Sequence, residues 1–138
     1  MAILPVAWGV GLAVAVGVMA RLSGLDRDRA FYPTVLIVVA SYYCLFAVLG
    51  GSGADLVAEV IGFGLFAATA LLGFRFGLWL VVAGLAGHGL LDAVHHLVIP
   101  NPGVPAWWPA FCGAYDIAAA AFLAIVIRRT GTSHGRTI

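Results

Sequence analysis

The sequence predicts an all-α integral membrane bundle of five transmembrane helices, with the N-terminus outside and the C-terminus cytoplasmic. Three observations carry this expectation: the composition, the spacing of the apolar runs and the placement of the arginines. Of the 138 residues 63% are hydrophobic and only 9% charged, with a mean hydropathy of +1.08. A soluble domain is about half apolar and about one quarter charged, and a core this small cannot hide so much hydrocarbon. Five apolar runs, residues 3–19, 32–49, 56–72, 76–99 and 106–127, suit the roughly 17–25 residues that a helix needs to cross a bilayer. In lipid a helix satisfies its own backbone groups, which makes the bundle the economical architecture.

Each break between runs has turn chemistry. The first run, "MAILPVAWGVGLAVAVGVMA", lacks the basic flank and cleavage pattern of a secretory signal and reads as a retained span. The charged stretch "RLSGLDRDRAFYP" separates it from the second. "GGSGAD" reads as a glycine-rich turn before the third, "GFRFG" as a tight arginine turn before the fourth, and "PNPGVP" as a proline loop before the fifth. Residues 1–130 form one domain, and 131–138 a short cytoplasmic tail that contains His134. Gly62, Gly73, Gly77, Ala83, Gly84 and Gly87 are small enough to let helices approach closely.

The seven basic residues are all arginines. Arg21, Arg27 and Arg29 lie in the first loop, Arg75 in the third, and Arg128, Arg129 and Arg136 after the last run, while the second and fourth loops have none. The positive-inside rule then fixes the orientation, and Trp107 and Trp108 fit an outer aromatic belt, as does Trp8. Arginine without lysine suits a GC-rich bacterial genome, so the expected location is the bacterial cytoplasmic membrane. A net charge of +1 leaves no basic patch for nucleic acid. The expected partners are the lipid bilayer and a lipid-like small molecule, with homo-oligomerisation left open.

Against this background "HGLLDAVHHLVIP" stands out, because an ionised group near the bilayer centre costs at least about 2.5–3.5 kcal/mol unless it faces the interior and finds a partner. Counting about 5.4 Å per turn from the outer end of the fourth helix, His95 and His96 lie about one turn down, Asp92 two and His88 three. Cys112 and Asp116 reach matching depths on the fifth helix, Glu59 on the third, and Ser41, Tyr42, Tyr43 and Cys44 on the second. His88, Asp92 and His95 share one stripe, with His96 at its edge, and Cys112 and Asp116 share a face at i, i+4. The simplest geometry is one polar site in the outer half of the membrane.

The leading expectation is a metal site drawn from His88, Asp92, His95, His96 and Asp116, with Asp92, His95 and His96 the first choice of ligands and Glu59 in reserve. Asp92-x-x-His95 is a shorter version of the Glu-x-x-His used in helical-bundle metal sites. His88 and His95 lie about 10 Å apart along an ideal helix, so either Asp92 bridges two ions or one histidine orients a ligand. Imidazole with carboxylate suits zinc, iron or manganese, and a thiolate from Cys112 shifts the choice to zinc or copper. Bis-histidine haem needs ligands on two facing helices, whereas these histidines share one. The competing reading is that the same groups hydrogen-bond one another and knit the bundle.

A metal-free alternative makes Asp92, Asp116 and Glu59 catalytic acid and base groups for isomerising or cyclising an isoprenoid-like lipid. Transport, or an accessory role in a larger membrane complex, are non-enzymatic alternatives. Tyr42 and Tyr43 are candidate pocket walls or hydrogen-bond donors, or ordinary packing residues. Cys44 and Cys112 share a depth that permits a disulfide, or serve as apolar filler.

The pattern His88-x3-Asp92-x2-His95-His96, then a proline loop, then Cys112-x3-Asp116 resembles a bacterial family of small polytopic membrane proteins known as a domain of unknown function. The resemblance covers residues 88–116, about a fifth of the chain. It implies that these residues act as one unit and brings no assigned chemistry.

Overall fold

Prolines mark where three of the helices begin. Pro5, Pro33 and Pro109 each fall in a first turn, where the missing N–H costs no helical hydrogen bond. The computed structural model describes residues 2–134, and these form five helices and no strand. They are α1 (Ile3–Ser23), α2 (Phe31–Leu49), α3 (Gly53–Phe76), α4 (Trp79–Val98) and α5 (Trp108–His134). All five contain a stretch long and apolar enough to cross a membrane.

Local chemistry sets the boundaries. Gly24 closes α1 in the left-handed conformation, φ 80°, and its N–H donates to Ala20 O at 2.9 Å. The Ser52 side chain caps α3 by accepting from the Asp55 N–H at 3.2 Å. The expected arginine turn at 73–77 is instead the last turn of α3, and the chain reverses only at Gly77 and Leu78. Gly73 stays helical because it is a packing surface: a Cβ there would collide with the Val81 side chain of α4. α5 continues to His134, beyond the expected domain end at 130. The rest of the expected tail, 135–138, lies outside the described residues.

α5 packs against α1 on one side and α4 on the other, α4 also meets α3 and α2, and α2 pairs with α3. Toward one end the core is apolar, built on Leu36, Val81, Leu85 and Leu123, each at most 1% exposed. Toward the other end it is polar, and there α4 and α5 cross closely at two glycines. A Cβ on Gly89 would lie 3.0 Å from the Gly113 carbonyl, and one on Gly113 3.2 Å from the Gly89 carbonyl. Of the glycines expected at contacts, Gly73 and Gly84 are pressed against neighbouring helices. A Cβ on Gly62 or Gly77 would meet open space, and one on Gly87 only the Phe66 ring at 3.9 Å, because these positions face away from helix seams.

The two loops at the polar end meet one another. The proline loop crosses the end of α2, with Gly103 seated against the Phe46 carbonyl and beside Gly50. At the opposite end Arg128 lies over the Trp79 ring at 5.9 Å, and Arg21 pairs with Asp26 at 3.0 Å. The arginines of the described residues therefore gather at one end and the polar core at the other.

Candidate metal centre

The Gly89–Gly113 crossing brings four chemically active side chains within reach. His88 and Asp92 project from α4, Cys112 and Asp116 from α5, each pair at i, i+4 on its own helix. One ligating atom from each can be chosen so that all lie within 4.8 Å of one another. His88 Nδ1 is 2.6 Å from Asp116 Oδ2 and 3.7 Å from Asp92 Oδ2, and the Cys112 thiol faces Asp116 Oδ2 at 3.8 Å. All four residues are at most 2% exposed.

Neighbouring helices hold this group in place. The Tyr43 hydroxyl of α2 donates to Asp92 Oδ1, and Phe66 of α3 sets its ring edgewise on His88, centroids 4.8 Å apart. Two carboxylate oxygens are left over: Asp92 Oδ2 and Asp116 Oδ1 are buried without a hydrogen-bond partner. Buried polar atoms are normally satisfied, and two acceptor atoms on facing carboxylates suit a cation.

The donor set fits one. Bonds of about 2.0–2.3 Å in a tetrahedron place ligand atoms about 3.3–3.8 Å apart; the His88–Asp92 and Cys112–Asp116 separations fall in that range, whereas His88 and Asp116 at 2.6 Å are hydrogen-bonded and would have to part to admit an ion. Imidazole, thiol and two carboxylates match zinc, and the thiol disfavours magnesium or calcium. A dication would offset the two carboxylates, and with Cys112 bound as thiolate the site would keep one net negative charge. That matters in a site closed to water, where like charges repel strongly.

A second polar group lies nearer the proline loop. His95 Nε2 is 2.9 Å from Glu59 Oε1, and Asn101 donates to the same oxygen at 2.8 Å and to the Tyr43 carbonyl at 3.1 Å. The His95 ring stacks on Tyr43 at 3.8 Å with an interplanar angle of 11°. Tyr43 thus touches both groups, through its face and through its hydroxyl.

Three of the five expected ligands, His88, Asp92 and Asp116, come together, and Cys112 joins them. His95 does not: it faces α3 and is taken by Glu59. His96 is exposed, on the rim of a groove, because one residue along α4 rotates it about 100° out of the bundle. The first-choice set Asp92, His95 and His96 therefore does not assemble, and His88 supplies the imidazole beside Asp92. Among the candidate acid and base groups Asp92 and Asp116 are together and Glu59 is in the second cluster. Tyr42 packs against Phe46 and Trp108. Cys44 and Cys112 are both free thiols.

Asn101 was not anticipated. Its signal is local: an asparagine between two prolines, whose side-chain oxygen accepts from the Gly103 N–H at 3.2 Å in a tight turn, leaves its amide nitrogen free to reach inward.

Beside Asp92 runs a groove of about 970 Å³, bounded by α1, α4, α5 and the proline loop. Its walls are mostly apolar, and Asp92, His95, His96 and Asn101 are its polar members. Compared with protein-family models, with curated proteins and with solved structures, the chain matches none of them.

Proposed function

We propose that this multi-pass membrane protein holds one divalent ion, zinc by preference, at His88, Asp92, Cys112 and Asp116, and uses it on a lipid-like substrate admitted from the groove. The carrying observation is the buried set of four donors within 4.8 Å of one another, with two carboxylate oxygens left unpartnered. Its location in this reading is the bacterial cytoplasmic membrane, with the arginine end in the cytoplasm and the site in the outer half of the bilayer. The same reading takes residues 88–116 as one unit, as the resemblance implies.

Elemental analysis of protein purified from membranes without chelators tests the reading. One zinc, iron or copper ion per chain is the expected result, with none in Asp116→Ala. A folded, metal-free wild type would overturn it.

One observation favours a second reading. The 2.6 Å contact between His88 and Asp116, next to the Tyr43–Asp92 hydrogen bond, already forms an acid/base pair beside a proton-donor pair. In this metal-free version His88 and Asp116 move a proton at the substrate while Tyr43 and Asp92 supply another. Turnover of an isoprenoid-like lipid that survives chelation would select it.

A further inference from the structure

A centre whose four donor residues are each at most 2% exposed cannot load or release an ion as it stands, so some part of the chain must move. The helices around it are poor candidates. α4 and α5 meet backbone to backbone at Gly89 and Gly113, and parting them would break up the ligand set itself. The grooves on either side of α5 are walled mainly by hydrocarbon. One of them reaches Cys112, but past Phe31, Tyr42, Trp108 and Phe111, so an ion on that path would leave water for an apolar medium. Between helices at the polar end, the described chain leaves helical form only at residues 50–52 and 99–107.

The second of these is the proline loop. Pro100, Pro102 and Pro105 fix φ at three of its positions, which makes it a stiff piece rather than a fraying one. It is pinned at two points. Gly103 sits against the Phe46 carbonyl of α2. Asn101, 8% exposed, donates from its side-chain nitrogen to the Tyr43 carbonyl and to Glu59 Oε1, at 3.1 and 2.8 Å. Of the buried polar side chains at this end, Asn101 alone lies outside a helix. Beneath it the contacts run on without interruption. Glu59 holds His95, the His95 ring lies on Tyr43, and the Tyr43 hydroxyl ends on Asp92. The loop therefore closes the end of a stack that leads to the proposed ligands.

We propose that the proline loop is the gate of the buried centre and Asn101 its latch: the loop lifts off α2 and α3 to let a divalent ion in or out at the end opposite the arginines. The ion as cargo rests on the metal reading above. Asn101 touches none of the four donors, so the latch governs how fast the ion exchanges and not how tightly it is held. Its bond to Glu59 has a carboxylate acceptor, and losing such a bond is expected to shift the balance of closed and open loop about 10-fold. Because that shift is the same with and without the ion, entry and exit accelerate together.

The test uses the full-length protein in lipid nanodiscs. Zinc uptake, and zinc loss to excess chelator, are followed by stopped flow; in Asn101→Ala both should rise about 10-fold, with Kd within about threefold of wild type. A further rate needs no ion. After chelation, in a Cys44→Ser background, alkylation of Cys112 by N-ethylmaleimide should rise about 10-fold in Asn101→Ala. It should rise likewise in Gly103→Ala, whose methyl group would push the loop off the Phe46 carbonyl. Leu123→Ala, which loosens the apolar end of the core, should leave every rate within about twofold. Rates unmoved by both loop variants overturn the proposal. So does equal acceleration by Leu123→Ala, which would mean general loosening, or faster loss with Kd weakened to match, which would mean that Asn101 supports the ligands. Metal-loaded protein with alkylation unmoved defeats the gate alone, and metal-free protein whose Cys112 is unmasked by the loop variants defeats the metal alone.

Discussion

Replacing Tyr43 by phenylalanine isolates one hydroxyl at the heart of the site. The ring remains, so its stack on His95 at 3.8 Å and its edge contact with Phe46 are kept. What disappears is the O–H donated to Asp92 Oδ1. Asp92 then retains the His88 nitrogen at 3.7 Å from Oδ2 and two poorly satisfied oxygens. A hydrogen bond to a charged acceptor is worth about 1.5–3 kcal/mol of stability, and because this one is already formed without the ion, only its orienting effect on the carboxylate reaches ion affinity. Loss of a group that orients a ligand lowers affinity about 10–100-fold. The assay is competition for zinc against a chromogenic chelator on protein in detergent, with far-UV circular dichroism to check helicity. An affinity within twofold of wild type, or a fall in melting temperature with affinity unchanged, would refute the idea that this hydroxyl positions a ligand.

The other substitutions divide the two clusters. Cys112→Ser should keep the helices intact and weaken zinc at least 10-fold, read by the same competition, because the thiol makes one long contact at 3.8 Å and its main value is as a ligand. His96→Ala should leave metal stoichiometry at the wild-type value, since the side chain is exposed; loss of the ion would put the ligand assignment in error. Glu59→Ala leaves His95 without its partner and Asn101 with only the Tyr43 carbonyl, so the thermal midpoint should fall, with an expected cost of about 1–3 kcal/mol for a buried donor left unpaired, while the ion stays bound. Gly89→Val should force α4 and α5 apart at their glycine crossing and abolish metal retention, checked by elemental analysis of whatever folded protein is recovered.

Much of this architecture could be read from the sequence because bilayer thickness and helical period are strict rules. The five spans and the shared depth of the polar residues follow from counting. The stripe of His88, Asp92 and His95 follows from 100° per residue, and so does the pairing of Cys112 with Asp116. Counting along a helix says nothing about which helix lies beside which. α4 turns out to sit between α5 and α3, so one end of its stripe meets Asp116 and the other Glu59, and a single expected site divides into two. The same blindness explains the glycines: Gly62 and Gly113 look alike in sequence, yet a Cβ on the first meets open space and one on the second meets a neighbouring backbone. Helix continuation from Gly73 to Phe76 was also hidden, since the contact that favours it comes from Val81 on the next helix.

The division of partners among separate helices also dictates an order of assembly. Glu59 lies one helix before its partner His95 in the chain, and His88 and Asp92 one helix before Asp116. Each segment must be admitted to the membrane on the strength of its own hydrocarbon, still carrying an unmatched ionisable group worth about 2.5–3.5 kcal/mol against insertion. Side-chain pairing begins only once the segments lie side by side, so the polar contacts choose neighbours rather than drive entry. Loss of one partner should therefore be felt in the stability of the packed bundle rather than in the entry of its helix into the membrane.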